Sequence, residues 1–261
     1  MVRIIAHRGA RNLWAENSLE GFRRTAALGV DAVELDLHLS SDGEIVVIHD
    51  PLLDRTTNGR GPVSDHSLEA LRRLHLADTL GETIPTLDEV LDIFAPTGLG
   101  LELEMKTDAR GKPYTGLVER TAARVAARGL VDRVRLTCFV PEVIEEIRER
   151  ARDFRRLASL DRRSAEMLGG LERAVARFVD LDCTIAVERT LLALDFDRCL
   201  AMVGTERLGV WVPNTSAELD HWLRRPIGQL TSDRPDLALA LRARAAASGG
   251  AYLVGERPRE R

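Results

Sequence analysis

The sequence predicts an α/β chain folded as one (β/α)8 TIM barrel, with a β-hairpin arm after the second strand. Three observations carry this expectation. Apolar runs of strand length alternate with longer segments of helical period along most of the chain, which argues for βα units. One pair of neighbouring runs lacks a helix between them; Leu39-Ser40-Ser41-Asp42-Gly43 joins them, and an Asp-Gly pair between strand-like runs signals a hairpin. Setting that arm aside leaves eight strand–helix units in 261 residues, close to the roughly 250 residues typical of such a barrel. A single domain over residues 1–255 and a frayed tail at 256–261 are expected.

Taken in order, the elements follow from local pattern. Val2–His7 is a short apolar run, and Ser18–Leu28 is a helix opened by a capping residue. In Ala32–His38, Val33, Leu35 and Leu37 alternate with Glu34 and Asp36, so the strand has one apolar and one acidic face. Glu44–His49 is the returning arm. Pro51 to Pro96 supplies the next crossover, with helices near Leu68–Leu74 and Leu87–Phe94. Leu99–Lys106 alternates again, placing Glu102, Glu104 and Lys106 on one face. Val134–Phe139, Arg155–Leu160, Cys183–Val187, Leu208–Val212 and Ile227–Thr231 complete the strands. The helical patterns Thr115–Arg128, Pro141–Arg152, Ser164–Phe178, Thr190–Met202, Ser216–Arg224 and Pro235–Ala247 follow or separate them.

The composition excludes several classes. With 37 Lys+Arg against 41 Asp+Glu the formal charge is −4, so no overall basic field steers the chain to nucleic acid. Three separated cysteines match neither a disulfide framework nor a CxxC clamp. No run approaches the roughly 20 apolar residues of a membrane span, and the amino-terminal residues lack a signal-peptide layout; a cytoplasmic location is expected.

A TIM barrel places its chemistry at the carboxyl ends of the strands, which here carry His7-Arg8-Gly9, Glu34-Leu35-Asp36, His49-Asp50 and Glu104-Met105-Lys106. With Asp42-Gly43 as a two-residue turn, the register sets Asp36 opposite His49. Three carboxylates at close range repel by roughly 4 kcal/mol per pair at 4 Å and an effective dielectric of 20, and a divalent cation relieves this. Oxygen ligands from Glu34, Asp36 and Glu104 suit Mg²⁺ or Ca²⁺, with Mn²⁺ a further candidate. Two imidazoles beside such an ion, His7 and His49, suit general acid-base cleavage of a phosphodiester. Lys106 and Lys112 are the only lysines; Lys106 as a point charge and Arg8 as a fork suit a phosphoryl group, the lesser alternative being that Lys106 merely neutralises Glu104. Asn17 or Ser18 caps a helix, which leaves Glu16 without a helix role. Phe139 and Trp211 end their strands as an apolar wall or as core. Glu102 is either a buried pairing partner or an outer support. His38, His66, His75 and His221 read as surface or capping residues.

These motifs, together with Glu16-Asn17-Ser18, Asp42-Gly43, Asp54–Gly59, Ile84-Pro85-Thr86-Leu87, Trp211–Asn214 and Ser232-Asp233-Arg234-Pro235, resemble the glycerophosphodiester phosphodiesterase family of phospholipase-C-like TIM barrels. The resemblance covers nearly the whole chain. It implies hydrolysis of glycerophosphodiesters to glycerol 3-phosphate and an alcohol, with attack by a glycerol hydroxyl and a cyclic intermediate that water opens. It further implies a divalent ion held by Glu34, Asp36 and Glu104, an acid-base pair of His7 and His49, phosphate contacts from Arg8 and Lys106, and support from Glu16 and Asn17. Ala15, Val212-Pro213 and Ser232 depart from the usual family residues without removing a ligand or proton carrier. The competing readings are a lysophospholipase D-type phosphodiesterase and a catalytically silent binding protein.

Overall fold

The computed structural model describes residues 1–247; the expected domain end at 255 and the tail at 256–261 lie outside the described residues. Nine strands form the sheet: β1 (Arg3–Ala6), β2 (Ala32–Leu39), β3 (Ile45–Val47), β4 (Gly100–Met105), β5 (Val134–Cys138), β6 (Arg155–Leu160), β7 (Thr184–Glu188), β8 (Leu208–Trp211) and β9 (Gln229–Ser232). All but β3 run parallel and close on themselves, because β1 pairs with both β2 (Ile5 with Ala32) and β9 (Arg3 with Gln229). The strand period decides what lies inside. Val33, Leu35 and Leu37 are fully buried and share one core with Phe22, Leu87 and Phe94 of the helix layer. The opposite parity, Glu34 and Asp36, faces the barrel interior.

The arm is antiparallel as expected, but its register is one residue off the expected one. Leu37 pairs with Val47, His38 with Val46 and Leu39 with Ile45, so Ile48, not His49, stands opposite Asp36. The cause is the turn. Ser40 and Glu44 close a three-residue loop: Ser40 N–H donates to Glu44 O (3.0 Å) and Glu44 N–H to Ser40 Oγ (2.9 Å), while Gly43 takes φ 83°, a left-handed value that glycine accepts freely. The arm also changes partners along β2. One edge of β2 pairs with β1 at Ala32 and Val33 and with β3 from Leu37 onward. The interval contains Glu34 and Asp36 and is crossed by Ile48 N–H donating to Asp36 O (3.1 Å).

Beyond the arm, Val46, Ile48, Leu53, Val63, Leu71, Leu76 and Ile84 form a second, smaller apolar cluster. Two expected helices are each broken in two. Ser164–Phe178 becomes Arg162–Met167 and Leu171–Asp180, interrupted by Gly169 and Gly170 at φ 85° and 105°. Thr190–Met202 becomes Arg189–Leu194 and Phe196–Val203, interrupted at Asp195 (φ −147°, ψ 44°). The expected Leu68–Leu74 shortens to Leu68–Leu71.

One glycine near the start of β9 is required by packing. A methyl group on Gly228 would sit on the carbonyl of Glu206, whereas one on Gly98 meets nothing. Gly228→Ala is therefore expected to cost about 1–3 kcal/mol in urea unfolding, and Gly98→Ala less than about 0.5 kcal/mol.

Candidate active site

The carboxyl ends of the strands surround a cavity of about 330 Å³ lined by His7, Arg8, Glu34, His49, Glu104 and Lys106, with Phe139 and Trp211 on its wall. His7 and Arg8 occupy the short turn His7–Gly9 after β1, in which Arg8 adopts φ 49°. That left-handed step turns the backbone so that Arg8 N–H donates to Glu34 Oε2 (3.1 Å). Asp36 and Glu104 are register partners on adjacent strands. Glu34, Asp36 and Glu104 each bring one carboxylate oxygen to within 4.8 Å of the others.

This acidic cluster fits a hard cation on its own geometry. Glu34 Oε1, Asp36 Oδ1 and the nearby Asn17 Oδ1 are buried and make no hydrogen bond, although Asp36 Oδ1 faces the Lys106 ammonium. Buried oxygens left without a donor are costly, and oxygen donors are what Mg²⁺ or Ca²⁺ takes. Burial, Asp36 and Glu104 together push the Glu34 carboxyl well above the usual range, and burial and Asp36 push Glu104 up. Burial pushes Asp36 up as well, but Lys106 and Arg8 overcome it and hold that carboxyl far below its usual value. Lys106 Nζ lies 2.8 Å from Glu104 Oε1 and 3.3 Å from Asp36 Oδ1; Arg8 Nε lies 3.4 Å from Asp36 Oδ2. Lys106 thus does pair with Glu104, and it also lines the cavity.

The two imidazoles reach the cluster from different pieces of chain, each with a carboxylate behind it. His7 Nδ1 is 2.6 Å from Asp233 Oδ1, and His49 Nδ1 is 2.5 Å from Asp50 Oδ1. Both acids are held near 2: burial opposes this, but His7, Arg11 and Asn214 act on Asp233, and Arg55 and His49 on Asp50. Each is therefore an ionised acceptor, so each ring donates from Nδ1 and is left with Nε2 free for other partners. His7 Nε2 stands 3.9 Å from Glu34 Oε2. Burial lowers both imidazoles, His49 to about 4 with help from Lys106 and Arg8.

Other expected residues fall close by. Asn17 Nδ2 donates to Asp36 Oδ2 (2.9 Å), while Ser18 caps the helix Leu19–Ala26 by accepting from Gly21 N–H (3.0 Å). Glu16 accepts from Arg55 Nη2 (2.7 Å) and Arg8 Nη1 (3.4 Å), joining the first loop to the arm. Phe139 and Trp211 stack edge to face at 5.6 Å. Glu102 is a pairing partner: it accepts from Gln229 Nε2 (3.2 Å) and Arg135 Nη1 (3.3 Å) in the barrel interior. His38 departs from expectation. It is fully buried, because it shares the inner face of β2 with Asp36. His66 is half-buried, and His75 and His221 are exposed.

Sequence reasoning gave no role to Asp233, Asp50 or Arg55. All three lie within motifs already singled out, His49-Asp50, Asp54–Gly59 and Ser232-Asp233-Arg234-Pro235, but Asp233 lies 226 positions from its imidazole, and nothing local in the sequence pairs the two. The depressed Asp233 carboxyl also has a consequence for stability. A folded-state value near 2 against an ordinary 3.8 means that its stabilisation is complete above about pH 4 and is lost as pH falls through 2. Asp233→Asn is expected to lower the urea midpoint at pH 6, and the gap to wild type should narrow steadily in titrations from pH 4 to pH 2.

A closed parallel barrel with a charged cavity at the carboxyl ends of its strands is the build of a TIM-barrel enzyme. Comparison with known proteins narrows the class: residues 7–237 match the model of the Glycerophosphoryl diester phosphodiesterase family, and the chain belongs to that family. A glycerophosphodiester phosphodiesterase from Caldanaerobacter subterraneus is 34% identical over 153 residues, 57% of this chain and 62% of its own length. A protein from Agrobacterium tumefaciens named for the same family superposes with a TM-score of 0.83 at 27% identity, over 95% of this chain and 99% of its own. An Oleispira antarctica phosphodiesterase solved in complex with the product sn-glycerol-3-phosphate shares the fold, with a TM-score of 0.74 at 24% identity over 92% and 96% of the two chains. No helix among the described residues is long and apolar enough to cross a membrane.

Proposed function

We propose that this chain hydrolyses glycerophosphodiesters to glycerol 3-phosphate and an alcohol. The observation that carries the reading is the convergence, in one cavity, of the acidic cluster, two carboxylate-backed imidazoles and two phosphate-competent cations. Glu34, Asp36 and Glu104 would hold a divalent cation, which when bound supplies charge stabilisation to a phosphoryl oxygen.

The chain's own residues account for the rest. Arg8 and Lys106 orient the anionic diester. A phosphoryl group between them offsets the positive charge that depresses His49, which favours a proton on that ring. His7 and His49 then divide the proton transfers at Nε2, one taking a proton from the attacking hydroxyl and the other giving one to the leaving oxygen. Asp233 and Asp50 hold the rings in the tautomer that leaves Nε2 available. Phe139 and Trp211 form the apolar wall against the glycerol side. Family membership and the named relative support the substrate class.

The test is a panel of diesters: glycerophosphocholine, glycerophosphoethanolamine and lysophosphatidylcholine, incubated with protein supplied with Mg²⁺, Ca²⁺ or Mn²⁺. Release of glycerol 3-phosphate from the first two with little turnover of the lysolipid is expected. Turnover of the lysolipid alone would move the assignment to a lysophospholipase D-type reaction, and ligand binding without turnover would make the chain a silent binding protein.

A further inference from the structure

His38 is a buried imidazole that the mechanism above does not use. Its Nε2 lies 3.1 Å from the backbone carbonyl of His49 and its Nδ1 lies 3.0 Å from the Tyr114 hydroxyl. A carbonyl can only accept, so Nε2 carries the proton, and the Nδ1 lone pair then accepts from Tyr114 O–H. The ring is neutral in this arrangement, one nitrogen donating and the other accepting. Both ring nitrogens are satisfied, and the tautomer is fixed from both sides.

The position of this bond in the arm gives it its significance. Strand pairing between β2 and β3 ends at Leu37 and Val47, and Ile48 N–H spends itself on Asp36 O. The carbonyl of His49 lies two residues past the last paired one, Val47. There the His38 side chain stands in for a strand neighbour. Tyr114 follows the Thr107–Pro113 bridge in the segment after β4, so the chain Tyr114–His38–His49 ties the loop beyond Lys106 to the tip of the arm.

We propose that His38 is a positioning residue for the hydrolysis, donating from Nε2 to the His49 carbonyl so that the His49 ring is held against the acidic cluster, with Tyr114 fixing the His38 tautomer. This rests on the reading of His49 as a proton carrier. His38 touches neither substrate nor cation; it acts through the backbone of His49.

The experiment uses the full chain with its divalent cation and glycerophosphocholine. His38→Ala is expected to lower kcat about 10²-fold, the scale of a small misplacement of a reacting group, with KM changed by less than about 3-fold. Gln at this position keeps a side-chain amide donor within reach of the carbonyl, so His38→Gln should recover most of the lost rate at a melting temperature no higher than that of His38→Ala. Tyr114→Phe should fall between wild type and His38→Ala. In a His49→Ala background, His38→Ala should cost nothing further. Equal loss in the Ala and Gln variants, or full additivity with His49→Ala, would overturn the proposal. If His38→Ala does not fold, the Gln and Tyr114→Phe variants still decide the matter, since full loss in both refutes the assignment. Wild-type protein inactive on every diester would remove the functional reading itself, whereas an active wild type with an unimpaired His38→Ala removes only this inference.

Discussion

Alanine at position 7 or 49 is expected to lower kcat for glycerophosphocholine at least about 10²-fold, with KM changed only a few-fold. The magnitude is that of a lost general acid or base, typically 10²–10⁴-fold. KM should hold because Arg8 and Lys106, the proposed anion-binding charges, stay in place, and the rings' Nδ1 atoms bond Asp233 and Asp50 rather than either cation. The two losses should not multiply in the double variant, since the rings act on the same proton inventory. Each backing carboxylate should matter less than its ring. Asp233→Asn leaves the imidazole present but frees its tautomer, so its effect on kcat is expected to be milder than that of His7→Ala. Either single histidine variant turning over near the wild-type rate would sink the paired assignment.

Removing the cation should be at least as damaging, and it can be read without any substrate. Two buried carboxylates and a partly buried third face one another, with Lys106 and Arg8 in partial compensation. Protein treated with a chelator is expected to lose activity, and addition of Mg²⁺, Ca²⁺ or Mn²⁺ should both restore it and raise the melting temperature. A bound ion stabilises by about 2.7 kcal/mol when its concentration is a hundred times its dissociation constant. Glu34→Gln with Glu104→Gln removes two of the three charges. That double variant should show no ion-dependent shift and no activity, although its ion-free form should be no less stable than wild type because the repulsion is gone. Activity that survives chelation, together with a melting temperature indifferent to all three ions, would remove the cation from the proposal.

The parts of this site that lie within one strand were legible before any coordinates. Glu34 and Asp36 share a face because they are two residues apart, and the apolar Val33, Leu35 and Leu37 fix which face is inward. The barrel itself follows from the alternation, the one gap without a helix and the eight units that remain. What escaped depends on backbone detail or on long separation. The arm slipped by one residue because Gly43 completes a three-residue loop, a choice that the Asp-Gly pair does not announce. His49 still lines the cavity, but from two positions past the last paired residue, Val47, which is also why its carbonyl is left for His38. His38 has no polar company nearby in the sequence that would mark it as buried; its partners come from positions 49 and 114. The helix breaks at Gly169-Gly170 and Asp195 were hidden inside patterns whose apolar period continues across them.

The arm is shared between the two apolar clusters, Ile45 and Val47 belonging to the main core and Val46 and Ile48 to the smaller one, so it is the segment beyond the arm, with Leu53, Val63, Leu71 and Leu76, that forms a semi-independent annex. Regions with their own small contact set open at lower free energy than the body they adjoin. In rising denaturant, turnover should therefore vanish before far-ultraviolet dichroism changes, with amide exchange accelerating first around Leu53 and Leu71. A protein of this plan is silenced at its outbuilding while the house still stands.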